Sequence, residues 1–187
     1  MFSKYTLNEK SNFGLIEVIC GSMFSGKTEE LIRRINIAKL TKFKTIVFKP
    51  NIDTRNKGNY ITSHDNNKLK ATSVIDENEI FNKAKKHHII GIDEAQFFED
   101  LVPFIKQKVN DGFIVVVAGL IGDFEQKPFG HILELLPFCD TITHLKSYCT
   151  VSKDGTLAPF TKRIVDSKEQ ELVGADDMYT AVCRKYL

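Results

Sequence analysis

The chain has 187 residues, of which 42% are hydrophobic and 27% are charged, and its formal net charge is +2. This length predicts one domain with a sizeable buried core, and a charge so close to zero gives no reason to expect a nucleic-acid partner. No apolar run approaches the roughly 18 residues that span a bilayer, and residues 1–13 lack the apolar stretch of a secretory signal. The four scattered cysteines argue against a secreted disulfide framework. We therefore expect a cytoplasmic protein without a membrane partner.

Apolar strand-like runs alternate with helical patterns along the chain. Strands are predicted at residues 15–20, 45–48, 88–92, 113–118 and 141–145, and helices at residues 29–40, 75–86 and 101–110. Residues 51–71 are rich in Asn, Asp, Gly and Lys, which indicates a long loop or a weak hairpin. The alternation predicts an α/β fold with a parallel sheet and helices on both faces.

The loop after the first strand, residues 21–28, reads GSMFSGKT and matches the phosphate-binding pattern G-x-x-x-x-G-K-[ST] completely. Its backbone N–H groups and the following helix N-terminus suit phosphate groups. We expect Lys27 to reach the β- and γ-phosphates of a nucleotide, and the Thr28 hydroxyl to bind Mg²⁺. The phosphate-binding candidates in this loop are Gly21, Ser22, Met23, Phe24, Ser25, Gly26, Lys27 and Thr28.

A second candidate motif lies at residues 89–94 (IIGIDE), where an apolar strand ends in two carboxylates. Asp93 is placed as a phosphate-loop fold places the residue that holds Mg²⁺. Glu94 is a candidate general base for a hydroxyl or water nucleophile. The alternative is that both carboxylates only cap the next helix.

The pattern breaks into short segments after residue 145, with Gly155, Pro159 and Gly174 among them. We therefore predict a disordered tail at residues 1–13, a P-loop α/β domain at residues 14–145 and a small C-terminal subdomain at residues 146–187.

Several segments resemble the type II thymidine kinases, the cytosolic, human- and poxvirus-like family. They are residues 21–34 (GSMFSGKTEELIRR), 49–55 (KPNIDTR), 63–65 (SHD), 91–98 (GIDEAQFF), 118–130 (AGLIGDFEQKPFG), 160–163 (FTKR) and 173–184 (VGADDMYTAVCR). The resemblance implies a RecA-like P-loop kinase that transfers the γ-phosphoryl of ATP to the 5′-hydroxyl of thymidine. It also implies a homotetramer and feedback inhibition by dTTP.

The resemblance assigns roles to individual residues. Glu94 would be the base for the 5′-hydroxyl, Lys27 and Arg55 would act on the transferring phosphoryl group, and Asp53 and Gln96 would join Asp93 at the ATP site. The implied nucleoside-binding residues are Met23, Phe97, Leu120, Phe124, Phe129, Thr161, Leu172, Val173, Gly174, Ala175 and Tyr179. Residues 172–179 would form a loop that closes over the nucleoside.

Four positions depart from the family pattern. The family carries a structural zinc on two C-x-x-C-like pairs, but only Cys149 and Cys183 remain, with Ser152 and Tyr186 at the partner positions. Because hydroxyl groups are poor zinc ligands at neutral pH, we predict that the zinc is lost. Ile121 replaces an aspartate and Ala175 replaces a glycine, which leaves the base preference open.

Other interpretations remain at this point. Residues 93–96 also spell a DEAQ box, although 187 residues leave no room for the second helicase domain. A degenerate kinase kept as a nucleotide-binding regulatory module is the second alternative.

Sequence periodicity does not separate pocket from core for Phe97, Phe124 and Phe129, whereas we expect Phe98 and Phe104 in the core.

Overall fold

The computed structural model describes residues 14–53, 58–167, 169–170, 172, 174 and 176–187, without the side chain of Phe81. The predicted N-terminal tail and the site candidates Arg55, Val173 and Ala175 lie outside the described residues.

A six-stranded sheet in the order β5-β2-β6-β7-β1-β8 forms the centre of the fold, and all of its strand pairs are parallel. Its strands are β1 (Leu15–Gly21), β2 (Thr45–Pro50), β5 (Thr72–Val74), β6 (Ile89–Ile92), β7 (Ile114–Gly119) and β8 (Thr141–Leu145). Every residue of β6 and β7 is buried. This is why these strands read as continuous apolar runs rather than alternating ones, and the predicted α/β class is confirmed.

Helices cover both faces of this sheet. They are α1 (Lys27–Lys39), α2 (Glu77–Ala84) and α3 (Leu101–Asn110). Leu31 and Ile35 of α1 pack into one buried cluster, while Leu101 and Ile105 of α3 pack into a second. Helix α2 is shorter than residues 75–86 because the Asp76 side chain caps it by accepting a hydrogen bond from the Glu79 N–H.

Part of the predicted loop at residues 51–71 is an antiparallel hairpin of β3 (Tyr60–Thr62) and β4 (Lys68–Lys70). Ile61 and Leu69 face each other across the hairpin and are buried in the α1 cluster. The Asn67 side-chain amide donates to the Glu29 carboxylate at 3.0 Å, which fixes the hairpin turn over the start of α1.

The C-terminal part adds four short strands: β9 (Ser147–Tyr148), β10 (Leu157–Ala158), β11 (Phe160–Arg163) and β12 (Tyr179–Val182). Strands β9 and β10 pair antiparallel, as do β11 and β12, around a small buried cluster. Two hydrogen bonds join this part to the glycine-rich loop: Ser22 Oγ donates to the Ala158 carbonyl, and the Met23 N–H donates to Thr161 Oγ1. The division at residue 145 stays a prediction.

No helix among the described residues is both long and apolar enough to cross a bilayer.

Candidate active site

The glycine-rich loop folds tightly between β1 and α1. A Cβ on Gly21 would stand 2.2 Å from the Leu145 carbonyl oxygen, so glycine is required there. Gly26 has a φ of 85° and forms the N-cap of α1. Lys27 Nζ and Ser25 Oγ each donate to the Ser22 carbonyl at 2.7 Å. The Lys27 ammonium group therefore lies over the loop, beside the positive end of the α1 dipole, where a phosphate group is favoured.

Thr28 and Asp93 meet beside this loop although they are far apart in sequence. Thr28 Oγ1 lies 3.3 and 3.2 Å from the two carboxylate oxygens of Asp93. Asp93 is buried directly after β6, where its N–H donates to the Phe48 carbonyl. One hydroxyl and one carboxylate are the oxygen ligands that suit Mg²⁺ when nucleotide phosphates supply further ligands.

Two cavities open at the carboxyl ends of the parallel strands. The first, here called the phosphate cavity, is lined by the glycine-rich loop, the start of α1, the hairpin turn, and Asp53, Asp93, Glu94 and Leu120. The second, here called the apolar cavity, is lined by the following predicted nucleoside-binding residues: Met23, Phe97, Leu120, Phe124, Phe129, Thr161, Leu172, Gly174 and Tyr179. These nine are all the predicted pocket residues that the structure describes.

Among the described residues, Met23, Asp53, Glu94 and Leu120 line both cavities. They follow β1, β2, β6 and β7 respectively, and the carboxyl ends of parallel strands gather at one edge of the sheet. The two cavities therefore meet at these side chains, with the buried carboxylate of Glu94 at the junction.

Glu94 is held in an unusual conformation. Its φ of 50° and ψ of 43° lie in the left-handed region, which is uncommon for residues other than glycine. Gln96 Nε2 donates to the Glu94 carboxylate at 2.7 Å, and Gln96 Oε1 accepts from the Leu120 N–H at 3.0 Å. Gln96 thus lines the apolar cavity and orients Glu94, whereas the sequence interpretation placed it among the phosphate-binding residues.

The aromatic side chains divide between the apolar cavity and the core. Phe97 and Phe129 meet edge to face, with ring centroids 5.5 Å apart. Phe98 and Phe104 are buried in the α3 cluster, as predicted. The cavity therefore offers flat apolar walls with few polar groups, which suits a flat organic ring.

Comparison with known proteins decides the family. A family model for thymidine kinase matches residues 14–187. The thymidine kinase of Bacteroides thetaiotaomicron is 40% identical over 186 residues, which cover 99% of this chain and 92% of that protein. The thymidine kinase of vaccinia virus is 39% identical over 174 residues, which cover 93% of this chain and 97% of the viral protein. The chain belongs to the thymidine kinase family.

As a thymidine kinase, the chain is an ATP-dependent nucleoside kinase, so the helicase and regulatory interpretations of the sequence are set aside. The phosphate cavity and the apolar cavity beside it are the candidate sites for the two substrates of such an enzyme.

The two cysteines that the sequence interpretation took as remnants of a zinc site lie close together. Cys149 and Cys183 lie in the small C-terminal core, where the Cys183 N–H donates to Cys149 Sγ at 3.3 Å. Within the described part of the chain, no group of three or more His, Cys, Asp or Glu side chains is placed to hold a metal ion. Two thiols do not make the four-ligand set of a structural zinc site, and loss of the zinc stays a prediction.

The sequence interpretation missed several residues at this thymidine kinase site. Asp123 and Gln170 line the apolar cavity, and Gln170 Nε2 donates to Asp123 Oδ2 at 2.7 Å. Asp123 Oδ1 also accepts from the N–H groups of Glu125 and Lys127. An Asp that opens a polar turn is a readable local signal, but nothing in the sequence marks Gln170.

Ile121, which replaces the family aspartate, packs against the α3 cluster.

Proposed function

We propose that this thymidine kinase uses Glu94 as the general base that accepts the proton of the thymidine 5′-hydroxyl. The observation that carries the proposal is the position of Glu94 at the junction of the two cavities. A nucleoside in the apolar cavity would point its 5′-hydroxyl toward this carboxylate, and the γ-phosphate of ATP would arrive from the other side.

In the proposed reaction the 5′-oxygen forms a bond to the γ-phosphorus, and the bond from that phosphorus to the β–γ bridging oxygen breaks. The 5′-hydroxyl proton passes to Glu94, and dTMP and ADP leave. Lys27 and the N-terminus of α1 stabilise negative charge on the phosphates, while Thr28 and Asp93 hold the Mg²⁺ that accompanies ATP. Asp53 and Arg55 are proposed to act beside the phosphates.

The apolar cavity is proposed to bind thymine between aromatic side chains. Phe97, Phe129 and Leu120 supply flat apolar surface for a methylated ring, and backbone groups of residues 172–179 are proposed to read the base edges. Burial of the ring and closure of that segment exclude water, which favours transfer to an alcohol over hydrolysis of ATP.

The test is an assay of purified protein with ATP and Mg²⁺ against thymidine, deoxycytidine, deoxyguanosine and deoxyadenosine, together with Glu94→Gln. Thymidine should be the best acceptor, and the variant should lose roughly 10²–10⁴-fold in kcat while it still binds ATP. Glu99→Gln, at a neighbouring exposed carboxylate, is the matched control and should keep full activity. Unchanged turnover in Glu94→Gln would overturn the role of Glu94.

We also propose that dTTP inhibits the enzyme by filling both cavities. Its thymine would occupy the apolar cavity, and its phosphates would reach the phosphate cavity through the shared junction. Competition of dTTP with thymidine tests this, and absence of inhibition at millimolar dTTP would overturn it.

We propose as well that the protein is a homotetramer, that it is cytoplasmic, and that its C-terminal part holds no zinc. The four free cysteines fit a reducing compartment. Light scattering measures the assembly, and elemental analysis measures zinc. About one zinc per chain would contradict the predicted loss.

A further inference from the structure

Arg163 ends β11 with its guanidinium group buried beside the apolar cavity, and only 9% of the residue is exposed. Nη1 donates to the carbonyl oxygens of Ser167, at 3.0 Å, and Glu169. Nη2 donates to the Tyr179 hydroxyl at 2.6 Å and to the Gln170 carbonyl at 3.4 Å. One side chain therefore holds several backbone groups of the segment between β11 and β12.

The same guanidinium group lies against two aromatic rings of the apolar cavity. Its central carbon is 3.7 Å from the ring centroid of Phe124 and 5.1 Å from that of Tyr179. Tyr179 in turn donates its hydroxyl to the Leu172 carbonyl at 2.7 Å. Because guanidinium stacks on aromatic faces and presents donors in a rigid fork, it fixes both rings relative to the backbone around them.

The acceptors around Arg163 are neutral in the part of the chain that the structure describes. These oxygens satisfy the Nη1 and Nη2 donors of the buried guanidinium group, whereas Nε has no hydrogen-bond partner among the described residues. Each further unmade hydrogen bond would leave another desolvated donor. If Phe124, Tyr179 and the bonded backbone moved away from Arg163, the guanidinium group would lose its partners. Its hydrogen bonds therefore favour the arrangement in which these groups pack around it.

We propose that Arg163 is a positioning residue for the nucleoside: it holds Phe124, Tyr179 and the neighbouring backbone as a formed wall of the apolar cavity before thymidine binds. The inference rests on the proposed binding of the nucleoside in this cavity. Arg163 has no contact with the glycine-rich loop in the bonds above, so its effect falls on nucleoside affinity rather than on ATP binding.

The test compares Arg163→Met and Arg163→Lys with Lys162→Met. Lys162 is the adjacent residue of β11 and is exposed, and its side chain donates only to the Tyr186 carbonyl among the described side-chain hydrogen bonds, so it is a matched control. Arg163→Met should raise the KM and Kd of thymidine about tenfold or more, since loss of preorganised contacts weakens binding. The KM of ATP should stay the same, and kcat should fall less than the affinity.

Arg163→Lys keeps the charge and the stem but loses the planar fork, so it should give a smaller loss in the same direction. If a thermal melt shows that Arg163→Met does not fold, the thymidine affinity of Arg163→Lys tests the proposal instead. Thymidine affinity equal to that of the wild type, or equal losses for ATP and thymidine, would overturn the role of Arg163. Calorimetry with the wild type separates the two proposals, because a wild type that binds no thymidine defeats the proposed function itself.

Discussion

The side-chain amide of Gln96 donates a hydrogen bond to the Glu94 carboxylate at 2.7 Å, while its carbonyl oxygen accepts one from the Leu120 N–H at 3.0 Å. Glu94 and Leu120 both line the junction of the two cavities. Gln96 therefore connects the proposed base to the backbone that follows the neighbouring strand β7.

The first prediction follows from this contact. Gln96→Met keeps the length of the side chain but removes both hydrogen bonds, so the Glu94 carboxylate loses its fixed orientation. We expect kcat to fall roughly 100-fold, because small errors in the position of a reacting group are this costly.

The control for Gln96→Met is Gln107→Met, which changes an exposed glutamine on α3. Steady-state kinetics across a pH series measure both variants. Wild-type kcat in Gln96→Met would show that Glu94 needs no such partner.

The second prediction concerns the hydroxyl of Thr28, which lies against the Asp93 carboxylate. Thr28→Val preserves the shape of the side chain but removes an oxygen ligand, so we expect the Mg²⁺ concentration for half-maximal activity to rise roughly 10–100-fold. Thr28→Ser keeps the hydroxyl and should stay near the wild type. Identical Mg²⁺ titrations for the valine and serine variants would contradict a metal-binding role.

The third prediction concerns the ion pair between Glu17 on β1 and Arg34 on α1. The two residues are 3% and 7% exposed, and Arg34 Nη1 lies 2.8 Å from Glu17 Oε2. Glu17→Gln removes one of the two carboxylates that pair with the buried Arg34, while Glu30 stays in contact with it. The free energy of unfolding should therefore fall by about 2 kcal/mol. The pair of the exposed Arg33 with the partly buried Glu30 is the comparison, and Arg33→Gln should cost less than about 1 kcal/mol.

Urea unfolding monitored by circular dichroism measures these two variants. Equal losses of stability would show that burial does not decide the contribution of the pair.

The fourth prediction is a pH dependence of stability. Hydrogen bonds and charge from Arg33 and Arg34, that of Arg33 foremost, lower the pKa of Glu30 from its ordinary 4.5 to about 2, against the opposing effect of partial burial. Because the folded pKa lies below the unfolded one, the stabilisation is present above about pH 4.5 and is lost as the pH falls toward about 2. The difference in unfolding free energy between the wild type and Glu30→Gln should shrink over this range. A difference that is constant with pH would contradict the assignment.

Much of the fold was predictable because its signals are local. The predicted bounds of α3 and β8 match the structure, and those of β1, β2, β6 and β7 differ from it by at most two residues at either end. The short edge strand β5 was not predicted. The predicted bounds of α2 were too wide, because a polar boundary residue such as Asp76 is a weak signal until its side chain is seen to cap the helix. Residues 51–71 left two interpretations open, and burial of Ile61 and Leu69 against α1 favours the hairpin.

The candidate site, like the fold, was predictable only where its signals are local. The phosphate loop was readable because its function depends on consecutive backbone groups. The resemblance placed Gln96 at the ATP site, but the turn after β6 directs its side chain to the apolar cavity. Arg163 and Gln170 were missed because the contacts that bring them to the cavity, with Phe124 and Asp123, come from another segment of the chain.

The sequence by itself determined the phosphate-binding loop, the two carboxylates after β6 and the parallel α/β class, because each is written in contiguous residues. Only the tertiary structure decided that Met23, Asp53, Glu94 and Leu120 stand at one junction between two cavities. These residues are separated by up to 97 positions (120 minus 23) and meet because parallel strands deliver their carboxyl ends to one edge of the sheet. That convergence is a property of strand order, which no local pattern in the chain encodes.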